Sequence, residues 1–166
     1  MRETKIKSLI PVALVFLMLV LGCGQMKNIT ERNFSDFNPY KGSVSDLLKP
    51  ELSGSLVTFK FIGSRDITAD YKGAVEAKGF TYMQESGGIG AQVEGALVNF
   101  SSVADAEAYL AEISAENKGT LSKKGQGKRF TAKEGSIVGW TNGSILCVVT
   151  SSFAKPAGNF ENAAPF

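Results

Sequence analysis

Ser136-Ile137-Val138-Gly139-Trp140-Thr141-Asn142-Gly143-Ser144-Ile145-Leu146-Cys147-Val148-Val149-Thr150 is the stretch whose reading decides the fold. Two runs rich in β-branched and apolar residues flank Asn142-Gly143. That dipeptide suits a type I′ turn, which needs positive φ at both central residues. The stretch therefore predicts a β-hairpin with strands over Ser136–Thr141 and Ser144–Thr150. Alternation puts Trp140 on the face opposite Ile137, Gly139 and Thr141. Its size favours a place in the core, while exposed aromatics are enriched in recognition sites, so Trp140 is also a candidate contact residue. Cys147, inside an apolar strand, reads as a small core hydrophobe.

Moving towards the N-terminus, a polar stretch over Asn117–Lys128 separates this hairpin from the clearest helix, predicted over Val103–Glu116. Ser102 and Asp105 have the S-x-x-D spacing of a capping box. Val103, Ala106, Leu110 and Ile113 make one apolar stripe, with Glu107, Glu112 and Glu116 away from it. Before the helix, Leu56–Ile62 alternates as a half-buried strand. Ala69–Lys78 carries Tyr71, Ala74, Val75 and Lys78 at helical offsets, with Gly79 at a helix C′ position. Phe80–Gln84 and Ala91–Phe100 read as two further strands, Gly95 being a candidate bulge. The order predicts an α+β fold, a single antiparallel sheet of about five or six strands with one main helix packed on one face. The globular domain is expected over 51–153, with 154–166 as a loose C-terminal tail.

The other end of the chain carries a different signal. Arg2, Lys5 and Lys7 precede an uncharged apolar run, Leu9–Leu21, and then Gly22-Cys23. A basic start followed by an apolar run of this length is a secretory leader. Crossing a bilayer takes roughly 20 apolar residues, and this run spans 13 and contains Pro11. Val20-Leu21-Gly22-Cys23 resembles the lipobox of bacterial lipoproteins. The resemblance covers about the first 24 residues. It implies that residues 1–22 are a signal peptide cleaved after Gly22, that the Cys23 thiol carries a diacylglyceryl group, and that the new amino terminus is acylated. Several acyl chains hold a protein on a membrane essentially permanently, since each buried methylene adds about 0.8 kcal/mol. The resemblance further implies a place in the cell envelope, with the domain facing the periplasm or the exterior. Gly24 stands where some Gram-negative lipoproteins carry a retention Asp, which favours the outer membrane in a host with two. Residues 23–50 read as the lipidated cysteine and a tether, on which Phe34, Phe37 and Tyr40 are isolated aromatics.

Once the leader is removed, 15 basic and 15 acidic residues remain. A neutral chain lacks the basic footprint of general nucleic-acid binding, so no nucleic-acid partner is expected. The chain has no histidine, which removes the commonest general base and the usual nucleophilic pairs. With Cys147 alone beside a lipidated Cys23, neither an intramolecular disulfide nor a zinc site is expected. The pairs Asp66 with Asp70 and Asp105 with Glu107 read as a cap and solvated faces rather than glycosidase carboxylates. Gly87-Gly88-Ile89-Gly90 lacks the Lys and the following helix of a phosphate cradle. Lys123, Lys124, Lys128 and Arg129 form the one basic cluster. With Trp140, they are the candidate binding residues, and no cofactor or metal is expected. These observations lead to a noncatalytic envelope module that captures a protein or a small ligand. An envelope enzyme using carboxylates on cell-wall material, or a purely structural lipoprotein, are the alternatives.

Overall fold

The computed structural model describes residues 40–55, 57–85 and 90–166. The expectations for the leader, Cys23, most of the tether and Gly87–Ile89 fall outside these residues. Eight strands form one antiparallel sheet: β1 (Glu51–Ser53), β2 (Thr58–Asp66), β3 (Ala74–Gln84), β4 (Ala91–Phe100), β5 (Thr120–Lys124), β6 (Gly127–Ala132), β7 (Ile137–Asn142) and β8 (Ile145–Ser151). Their spatial order is β1-β2-β3-β4-β8-β7-β6-β5. Helix α1 (Val103–Glu116) and helix α2 (Ala154–Ala163) complete the fold. The α+β architecture with one antiparallel sheet is as expected, but five or six strands is an undercount. The shortfall comes from β1, only three residues long, and from the hairpin β5–β6, which begins inside the polar stretch and runs past its end. Strand β5 lies at the sheet edge with almost every side chain exposed. It needs no apolar alternation and shows none.

Residues 69–78 are not a helix. A single 3-10 turn at Thr68–Asp70 is followed by Gly73 at φ 83 and then by β3. Helix interior glycine costs about 1 kcal/mol, whereas an extended chain here hydrogen-bonds on both sides, to β2 and β4. Gly79 therefore sits mid-strand. Gly95 is not a bulge either, since it pairs in register with Phe80 and Val149. The irregularities fall between Phe61 and Gly63 and between Ala74 and Glu76. What Gly95 provides is room: a Cβ there would lie 2.5 Å from the Phe80 ring and 2.7 Å from the Val148 carbonyl oxygen.

The central hairpin forms as expected, with its turn displaced by one residue. Asn142 pairs with Ile145, leaving Gly143-Ser144 as the loop. Positive φ occurs at Gly143 alone, at 59°. Glycine as first central residue is the type II′ pattern rather than the type I′ one.

Both faces of the sheet are covered. Helix α1 begins at Ser102, whose Oγ accepts the Asp105 N–H at 3.1 Å, and it lays Ala106 and Leu110 over Val98, Phe130 and Leu146. The expectation of helix packing on one face only is corrected by α2, which occupies the opposite face. Residues 154–166 are thus an integral element rather than a loose tail. Pro156 is tolerated in the first helical turn, and the interior Gly158 weakens the helical signal in the sequence. Tertiary packing supplies what propensity lacks. The Phe160 ring lies 5.3 Å from Phe59, 5.5 Å from Phe80 and 5.2 Å from Tyr82. Burying such a side chain stabilises by about 2–3 kcal/mol.

The domain also begins earlier than residue 51. Val44 is fully buried on the α2 face, and its N–H donates to Glu76 Oε2 at 2.8 Å while Ser43 Oγ donates to Oε1 at 3.0 Å. Tyr40 is fastened at both ends of its peptide unit. Its N–H donates to Ser144 Oγ at 2.7 Å, and its carbonyl accepts from Asn99 Nδ2 at 2.8 Å. Ser144 Oγ in turn donates to Asn99 Oδ1 at 2.8 Å. These bonds fix where the preceding chain leaves the domain, beside the β7–β8 turn.

Candidate functional site

The four basic residues singled out in the sequence do not form a common patch. Lys123 faces Lys128, and Ser122 faces Arg129, across the β5–β6 ladder. Strand alternation then sends Lys124 and Arg129 to the α2 face and Lys123 and Lys128 to the α1 face. Each pair meets different chemistry. Lys128 Nζ lies 2.8 Å from Glu107 on α1, whereas Lys123 is exposed.

Lys124 and Arg129 converge on Glu161 of α2, whose side chain is only 7% exposed. Arg129 donates through Nε to Oε1 at 2.7 Å and through a terminal nitrogen to Oε2 at 2.8 Å. Lys124 Nζ lies 3.1 Å from Oε1 and 4.3 Å from the centroid of the Trp140 ring. Burial alone would raise the Glu161 carboxyl, but the Arg129 bonds and the Lys124 charge outweigh it and hold it below the usual glutamate range. The Arg129 guanidinium is correspondingly held in its charged form by Glu161.

Trp140 belongs to this assembly and not to the surface. It is 1% exposed, its Nε1–H donates to the Phe166 main-chain oxygen at 2.6 Å, and its ring stacks on Phe166. As a candidate contact residue it is therefore corrected to a core anchor that ties down the chain after α2. Cys147 pairs with Trp140 across β7–β8 and is fully buried. Desolvation pushes its thiol well up, which leaves it a hydrophobe rather than a nucleophile.

The open concave surface lies elsewhere, on the α1 face, where the helix stops short of β2 and β3. Two in-register rows cross the strands there. One runs Arg65, Gly79, Ala96, Val148, and the other Gly63, Thr81, Glu94, Thr150. Three adjoining hollows of about 470, 490 and 420 Å³ meet at Glu94; the first two also share Arg65, Gly79 and Gly95, and the last two share Thr150. Gly63 and Gly79 leave the floor without side chains, and Arg65 lies across Gly79, its Cγ and Nε about 3.5 and 3.6 Å from where a Cβ would stand.

Tyr71 and Tyr109 form one wall, with ring centroids 5.3 Å apart. Burial, followed by its neighbours Tyr109 and Asp70, raises the Tyr71 hydroxyl; burial also leads the rise at Tyr109. Both phenols thus stay neutral, able to donate and accept. Gln92 Nε2 donates to Glu94 Oε1 at 2.6 Å and orients that carboxylate.

Sequence reasoning did not single out this groove. Its signal is the polar or side-chain-free half of the alternation in β2, β3 and β4. Such a half-strand looks like ordinary solvated surface until the register aligns four strands of it beside a helix.

Among the described residues no group of three or more Cys, Asp or Glu side chains is placed to hold a metal ion. No helix among them is long and apolar enough to cross a membrane. No protein-family model, curated protein or solved structure matches the chain.

Proposed function

We propose that this protein is a lipid-anchored module of a bacterial cell envelope, held through acylated Cys23, and that its domain is a noncatalytic binder. The observation that carries the binding reading is the groove on the α1 face. It is floored by glycine, walled by two tyrosines, and offers an exposed cation and an exposed carboxylate at Arg65 and Glu94. Volumes of this order accommodate ligands, and a few placed polar groups beside apolar walls give orientation.

The anchor reading rests on the residues Val20-Leu21-Gly22-Cys23. It fits the way Tyr40 is pinned to the domain, since the 16 residues between Cys23 and Tyr40 would, as a flexible chain, span about 20–24 Å. The domain would then stand close to the membrane with its groove free to meet envelope material. The covalent lipid on Cys23 is the membrane partner in this reading, and an envelope macromolecule is the other.

Two experiments test it. Intact mass of the full chain extracted from membranes should correspond to a protein starting at acylated Cys23, and Cys23→Ser should move it out of the membrane fraction. Detergent-solubilised full chain should retain envelope material, and Arg65→Ala with Glu94→Ala should lose it. Retention unchanged by the double substitution would defeat the groove as the binding face.

A further inference from the structure

We infer that the groove takes a glycan: an uncharged, polyhydroxylated chain lying across the strands. This inference rests on the groove being the binding face, and it adds the class of ligand.

Gly63, Thr81, Glu94 and Thr150 lie in register on β2, β3, β4 and β8. Three interstrand steps make this row about 14 Å long. The three hollows adjoin one another through shared residues, so the surface fits a ligand with successive similar units. A peptide that binds a sheet in extended form does so by adding along an edge strand, through main-chain hydrogen bonds. Here the track runs perpendicular to the strands and over their side chains, where no unpaired ladder is offered.

Arg65 only donates hydrogen bonds and the Glu94 carboxylate only accepts them, while the hydroxyls of Thr81 and Thr150 do both. A sugar hydroxyl is donor and acceptor at once and can answer each of these groups. With Arg65 and Glu94 on the central rows and Asp70 beside Tyr71, the lining carries a single net negative charge, too little to draw a highly charged polymer of either sign. The phenol rings of Tyr71 and Tyr109, neutral and partly exposed at the α1 wall, supply apolar surface for the C–H face of a sugar ring.

The test is the detergent-solubilised full chain on an array of neutral, amino and acidic oligosaccharides, with an acidic and a neutral hexapeptide printed alongside. Retention on neutral or N-acetylated oligosaccharides is expected, stronger for tetramers than for dimers. Arg65→Ala and Glu94→Ala should each weaken it about tenfold, since bonds to charged groups contribute more than neutral ones. Both positions are exposed, so circular dichroism and melting should match the parent. Lys123→Ala should bind like the parent. Retention confined to acidic glycans, or retention that survives both substitutions, would overturn the inference. Peptide binding that depends on Arg65 and Glu94, with no glycan retained, would overturn the glycan class and leave the groove standing as a binding face. No groove-dependent retention of any probe would overturn the glycan, and, together with unchanged retention of envelope material, the groove as well.

Discussion

Arg129 meets Glu161 with two N–H···O bonds, Nε to Oε1 at 2.7 Å and Nη2 to Oε2 at 2.8 Å, and so joins the inner strand of the β5–β6 hairpin to helix α2. Lys124 adds a second cation to the same carboxylate. A pair of basic residues that looks like a binding patch in the sequence is, in the fold, half of an internal fastening. It holds α2 over Phe59, Phe80 and Tyr82, and Lys124 lies against the Trp140 ring.

Removing the carboxylate should therefore unsettle the domain. Glu161→Ala leaves Arg129 and Lys124 facing an apolar layer without a partner. The expected loss is roughly 2–3 kcal/mol by chemical denaturation. It falls below the cost for a fully buried pair because Arg129 keeps 29% of its side chain exposed. Lys123→Ala, on the other face, should change stability by less than about 0.5 kcal/mol.

The same pair sets an acid limit. The Glu161 carboxyl has a folded pKa below its unfolded one, so its stabilising contribution is full above the ordinary glutamate value of about 4.3. That contribution falls away as pH drops through the lowered folded value. Denaturant midpoints measured from pH 7 to pH 2.5 should decline below about pH 4.5. The decline should be shallower in Glu161→Gln, which has no proton to take up there. An identical slope in both proteins would refute the assignment.

Trp140 gives an optical test, because it is the single tryptophan of the chain. Buried among Phe166, Val138 and Cys147, it should emit in the blue range of tryptophans and resist acrylamide. Its spectrum should not move when ligand enters the groove, which lies on the opposite face. Trp140→Phe removes the bond to the Phe166 main-chain oxygen and should cost about 1–3 kcal/mol by denaturant melting.

Two glycines are there for space. At Gly139 a Cβ would stand 2.3 Å from the Phe130 ring, and at Gly95 2.5 Å from the Phe80 ring. Alanine at either position should destabilise by about 1–3 kcal/mol through overpacking, read as a fall in melting temperature. Gly63→Ala meets nothing within 4 Å and should be far milder.

Helix α1, its cap at Ser102, the β7–β8 hairpin and the strand at Ala91–Phe100 were legible because periodicity and end signals agree there. The rest was hidden for physical reasons. Strand β5 is an edge with solvent on nearly every side chain, so burial left no pattern in it. Ala74, Val75 and Lys78 satisfy helical offsets, yet two flanking strands outweigh a helix interrupted at Gly73. Helix α2 contains Pro156 and Gly158 and is stabilised by the aromatic layer it covers, which a sequence does not display. The four basic residues were recognisable as a cluster, but strand parity divided them between faces. The groove depends on register between strands far apart in the chain, and no local motif announces that.

Photo-crosslinking in living cells, with a photoreactive residue placed in the groove at Thr81 or on the edge strand at Lys123 of the full chain, tests whether the groove is the binding face. A reproducible adduct with envelope material is expected from position 81, lost when Arg65 and Glu94 are both alanine, and none is expected from position 123. An adduct from position 123 with none from position 81 would contradict this and return the binding face to the β5–β6 hairpin.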